Sequence, residues 1–145
     1  MGAAGVMIPF VCTPEKARSL VESVKFPPIG NRGIDNAGLD ADFHIHDPDE
    51  YVAWANRETF LAVQIETPEG VANAEEIASI EGLDGIFVGP GDLGLRIRRT
   101  DTDLTLEEGI ATVASACAKH NIAWGMPAPD ADAVVRLRDQ GAQLI

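Results

Sequence analysis

The stretch FLAVQIETPEGVANAEEIASIEGLDGIFVGPGD, residues 60–92, decides the fold. Phe60 to Glu66 is an apolar run of strand length that ends in an acid, as expected of a strand buried on both faces. Thr67-Pro68 supplies an N-cap and a proline for the first helical turn, and Val71, Ala74, Ile77 and Ala78 recur at helical spacing. Asp84 to Val88 is a second short apolar run, closed by Gly89-Pro90-Gly91-Asp92. Strand, helix, strand makes a βαβ unit, whose crossover returns the chain to the same end of the sheet and so makes the strands parallel.

The same rhythm continues on both sides. Upstream, GVMIPFV (5–11) reads as a strand, and Thr13-Pro14 opens a helix marked by Ala17, Leu20, Val21 and Val24 that ends before Phe26-Pro27-Pro28. Pro27 to His46 is a long loop without sustained period, followed by a helix that Asp47-Pro48 opens and Tyr51 and Trp54 carry toward Arg57. Downstream, Leu106, Ile110, Val113, Ala114 and Cys117 mark a helix, Ile122 to Met126 a strand, and Ala133 to Gln140 the last helix. Gly141 is its expected C-cap, and Gln143-Leu144-Ile145 starts a fifth strand. The expected fold class is therefore α/β, with about five parallel strands and four helices in one domain over residues 1–145. An open doubly wound sheet and the C-terminal half of a (β/α)8 TIM barrel both fit, and the abrupt ends inside strands favour a partial barrel truncated at both ends.

Composition excludes several functions. Eleven Lys+Arg against 23 Asp+Glu leave a net charge of −12, the wrong sign for nucleic acid or an anionic membrane surface. A hydrophobic share of 46% with 23% charged residues is that of a chain that buries a core. Cys12 and Cys117 stand far apart, without metal-type spacing, and neither reads as catalytic; no disulfide and a reducing, cytoplasmic setting are expected. No apolar run approaches the roughly 20 residues of a membrane span.

In both sheet types function sits at the carboxyl ends of the strands, where Glu66 and Asp92 stand. Neighbouring strands lie about 4.8 Å apart, so the two carboxylates can converge, with Gln64 on the same face as Glu66. Two acids with open remaining positions suit a hard divalent cation such as Mg²⁺ or Mn²⁺, and the amides of Gly91 and Asp92 suit an anionic carboxylate. The same acids read equally well as helix caps or loop acids.

VQIET (63–67), GIFVGPGDL (85–93) and GMPAPD (125–130) resemble, in that order, segments of the HpcH/HpaI aldolase family, the metal-dependent class II pyruvate aldolases. GAAGVMIPFV with PEKAR, and FPPIGNRG (26–33), resemble that family's segments too, so the likeness covers nearly the whole chain. The resemblance implies a TIM barrel that binds Mg²⁺, Mn²⁺ or Co²⁺ through Glu66 and Asp92. It places Gln64 and the Gly91 and Asp92 amides on the substrate. The implied activity is a carbon–carbon lyase cleaving 4-hydroxy-2-oxo acids to pyruvate and an aldehyde through a metal-stabilised enolate, in a homo-oligomer. The family's acid–base His and substrate Arg come from strands upstream of this chain. The rivals are an acyl-CoA lyase like the citrate lyase β-subunit or malyl-CoA lyase, and a catalytically silent metal-binding fragment.

Other polar residues carry bland readings. His44 and His46 read as solvated or interfacial, and His120 as a helix-end cation favoured by the dipole. Arg32 reads as ordering its loop or contacting another subunit, and Arg96, Arg98 and Arg99 as a solvated or salt-bridged loop cluster. Pro9 and Pro127 shape the pocket rim, while Trp54 and Trp124 belong to core or interface.

Overall fold

The computed structural model describes residues 3–35, 37–44 and 47–145. Four strands, β1 (Gly5–Ile8), β2 (Phe60–Ile65), β3 (Gly85–Val88) and β4 (Ala123–Gly125), pair in parallel in the order β1-β2-β3-β4. A doubly wound sheet reverses its strand order at a switch point, whereas a barrel sets each new strand beside the last. The unreversed order therefore selects the arc of a barrel.

The intervening helices are α1 (Pro14–Val24), α2 (Pro48–Glu58), α3 (Pro68–Ala72), α4 (Ala74–Ala78), α5 (Pro90–Ile97), α6 (Leu106–His120) and α7 (Ala131–Asp139). Side chains of Thr13, Asp47, Thr67, Thr105 and Asp130 cap five of them by accepting backbone N–H groups, each contact worth about 1 kcal/mol. Right-handed crossovers between sequential strands gather helices on one face of the sheet. Pairing register puts Leu61, Val63, Ile65, Ile86, Val88 and Trp124 on that face. All are buried, in one cluster with Val21 of α1, Ile77 of α4, Leu93 of α5, Val113 of α6 and Leu137 of α7. The opposite face carries Met7, Ala62, Gln64, Gly85, Phe87 and Ala123.

Three local features differ from the sequence reading. The helix expected over Val71 to Ala78 breaks at Asn73, whose side chain donates to the Cys12 carbonyl at 2.8 Å. Gly89-Pro90-Gly91 is not only a turn: Pro90 opens α5, which buried Leu93 pins to the core. The fifth strand shrinks to a single parallel bridge between Leu144 and Gly125, with the Trp124 carbonyl taking the amides of Gln143 and Leu144.

At the amino-terminal end of the sheet Lys25, just past α1, is only 1% exposed. Its Nζ donates to Asp84 Oδ2 at 2.8 Å, the Thr59 carbonyl at 2.6 Å and the Asn56 carbonyl at 3.4 Å. Asp84 Oδ2 also accepts the Leu61 amide at 2.7 Å. Beside this cluster a second small core forms from Phe26, Ala41, Tyr51 and Ala55.

Candidate functional site

Glu66 follows β2 directly and is 7% exposed. Oε2 accepts the Phe10 amide at 3.1 Å. Oε1 accepts no hydrogen bond from any described residue and lies against Gly89, where a Cβ would overlap it. By alternation Gly89 shares the face of Gly85 and Phe87, and register adds Gln64 to that face. The carboxylate thus leans over the strand end, as the period-two reading of Gln64 and Glu66 expects. Gln64 is half-buried, and its side-chain amide bonds to no described residue.

Asp92 lies in the first turn of α5, three residues past Gly89. Gly89 offers no side-chain cap, and the amides of Gly91 and Asp92 donate to no described residue. A Cβ at Gly91 would meet nothing within 4 Å, so space is open beside these two donors. That arrangement suits a carboxylate. Among the described residues no three His, Cys, Asp or Glu side chains gather as a metal cluster. Two carboxylates, with waters or substrate oxygens completing the shell, are nevertheless what Mg²⁺-type ions commonly take from a protein. Oε1 of Glu66, a buried acceptor without a donor, fits such an ion.

Phe10 was not singled out by the sequence, yet it borders the site. Its φ of 54° is one that bulky side chains avoid, and the turn aims its N–H at Glu66. Lys16 Nζ donates to the Phe10 carbonyl at 3.3 Å, and the Arg96 guanidinium lies over the Phe10 ring, 5.0 Å from its centroid. Arg96 Nη2 is also 4.0 Å from Asp92 Oδ1. Arg96 therefore belongs to a helix at the site's edge rather than to a loop. Only the neighbouring apolar run and a proline, Pro9, hinted at a turn here.

Other candidates fall elsewhere. Arg32 stacks on Phe26, 4.5 Å from the ring centroid, beside the amino-terminal cluster and away from Glu66. His120 Nε2 meets Glu75 Oε1 at 3.1 Å at the far end of α6. His46 and the side chain of His44 lie outside what is described. Burial pushes the Cys117 thiol up to about 12, which leaves it inert; Cys12 Sγ accepts the Thr67 hydroxyl at 3.2 Å, and both cysteines are free. Trp124 is core, and Trp54 is exposed beside Tyr51. No helix among the described residues is long and apolar enough to cross a membrane.

Known proteins share this chain's sequence and fold. A hydroxypyruvate/pyruvate aldolase of Roseovarius nubinhibens is 35% identical over 99% of this chain and 56% of its own length. One from Delftia acidovorans is 35% identical over 100% and 54%. The crystal structure of an HpcH/HpaI aldolase from Desulfitobacterium hafniense superimposes with a TM-score of 0.87 at 30% identity, covering 99% of this chain and 56% of that one. The chain thus spans about half the length of the curated relatives it matches. With the profile described as HpcH/HpaI aldolase/citrate lyase matching residues 1–145, the chain belongs to that family, as its motifs led one to expect.

Proposed function

We propose that this chain carries the metal- and carboxylate-binding part of a class II pyruvate aldolase, a lyase that cleaves a 4-hydroxy-2-oxo acid to pyruvate and an aldehyde. The observation that carries the reading is the buried Glu66 Oε1, left without a donor over Gly89 beside the free amides of α5. Glu66 and Asp92 would hold a divalent cation, Mg²⁺, Mn²⁺ or Co²⁺, which when bound supplies a Lewis acid for the negative charge that develops as C3–C4 breaks.

The protein's own groups do the rest. Amides of Gly91 and Asp92 orient the C1 carboxylate, and Gln64 donates its unpartnered amide to a substrate oxygen. Gly89 keeps room for the Glu66 carboxylate, and Gly91 leaves the approach to the amides open. The family resemblance expects the His that moves the proton of the C4 hydroxyl to come from strands upstream of these. A cytoplasmic homo-oligomer belongs to the same reading.

Titration of Mn²⁺ into the protein and its Glu66→Gln and Asp92→Asn variants tests the site. Each variant is expected to lose about a hundredfold or more in affinity, with circular dichroism unchanged. Equal affinity in both variants and the parent refutes the reading.

A further inference from the structure

Two cations that the proposed chemistry does not use stand at the mouth of the site, and both are fastened to Phe10: Lys16 on its carbonyl and Arg96 on its ring face. Phe10 is 40% exposed. A bulky residue kept at positive φ, with its ring in solvent, adds little to a core, and such strain gathers where function requires it. Here the strained turn directs three groups at once: the amide to Glu66, the carbonyl to Lys16 and the ring to Arg96.

Lys16 does not stand where folding alone would put it, whereas Arg96 lies in the last turn of α5, where the dipole accepts a cation. Lys16 occupies the first turn of α1, where the helix dipole disfavours positive charge. Arg96 is 44% exposed, and its 4.0 Å contact with Asp92 is weak. Asp92 is also a proposed metal ligand. A divalent cation held by Asp92 would weaken that tether and leave the guanidinium donors for an incoming anion. A chain with net charge −12 otherwise repels a dianion, so a local pair of cations at the mouth changes which substrates approach it.

We infer that Arg96, with Lys16 beside it, is a specificity-determining rim that recognises a carboxylate at the end of the substrate remote from its 2-oxo acid group. The inference rests on the proposed 2-oxo acid site. A guanidinium fork is the side chain best matched to a carboxylate, and the ring of Phe10 holds that fork in place without competing for its hydrogen bonds.

Two five-carbon acids isolate the effect: 2-oxoglutarate and 2-oxopentanoate share the chelating end and differ in a terminal carboxylate against a methyl group. Calorimetric titration of each into the Mn²⁺-saturated full chain is expected to show 2-oxoglutarate binding about tenfold more tightly, with the preference shrinking as salt rises. Arg96→Gln is expected to remove the preference and Lys16→Gln to reduce it, both leaving 2-oxopentanoate affinity as in the parent. A ratio unchanged in Arg96→Gln, or an equal loss for both acids, overturns the rim while the metal site stands. If the parent binds neither acid, the proposed site falls and the rim with it.

Discussion

The two ends of the sheet treat a buried charge in opposite ways. Lys25 and Glu66 are the two buried charged residues among those described. At the amino-terminal end Lys25 has a counter-charge in Asp84 and two carbonyls, so all three of its protons have an acceptor. At the carboxyl end Glu66 has one donor for one oxygen and none for the other. An acceptor left in this state costs of order 1–3 kcal/mol, and a fold keeps such a cost where a ligand will relieve it. The contrast follows the division of a barrel into a stability face and a functional face.

The largest expected effect breaks the satisfied end. Lys25→Met removes a cation from a closed cluster and leaves the Asp84 carboxylate and two carbonyls short of a donor. Unfolding in urea is expected to show a loss of about 2–3 kcal/mol, since the Asp84 carboxylate left behind is half open to water while the two carbonyls lose their donor, with Mn²⁺ affinity of the surviving folded protein intact. Glu66→Gln, by contrast, is expected to change stability by less than about 1 kcal/mol, since it removes a charge that the fold only half satisfies. Comparable losses in the two variants would erase the distinction between the ends.

A smaller effect sharpens the open end. At Gly89 an added Cβ overlaps Glu66 Oε1, whereas at Gly91 it enters empty space beside the free amides. Gly89→Ala is expected to displace the carboxylate, costing about 1–2 kcal/mol of stability and roughly tenfold in Mn²⁺ affinity. Gly91→Ala is expected to leave both unchanged and to weaken only 2-oxo acid binding. Titration of metal and acid in each variant separates the two glycines, and identical profiles would mean that metal and carboxylate are not held by separate groups.

Much of this was legible in the sequence because it is written in periodicity. The strands around Val63 and Phe87 and the helix through Ile110 and Val113 carry their faces in residue spacing, and parallel pairing alone places Glu66 and Asp92 at one end. Other features depend on what the sequence pattern omits. Lys25 after an amphipathic helix carries no local signal of burial, because the acid that pairs with it comes 59 residues later, at Asp84. Phe10 continues an apolar run in which Pro9 hints at a turn, but nothing there announces a left-handed one. Helix α5 hides behind Gly-Pro-Gly, a strong turn signal that the tertiary burial of Leu93 overrides.

The smallest expected effect asks whether burial or mere charge pairing distinguishes Lys25. Glu75 of α4 meets Lys119 and His120 of α6 on the surface, and the hydrogen bond from Lys119, then that from His120, holds its carboxyl below the ordinary 4.5. A carboxylate whose pKa is lowered by folding adds stability that is present above its unfolded value and lost as pH falls through the folded one. The melting temperature of the parent is therefore expected to exceed that of Glu75→Gln slightly above pH 4.5, and the gap to close in more acid solution. Salt should shrink it at every pH, since the pair is open to solvent. A gap as large as that of Lys25→Met would mean that pairing alone, rather than pairing out of water, is what holds the amino-terminal end together.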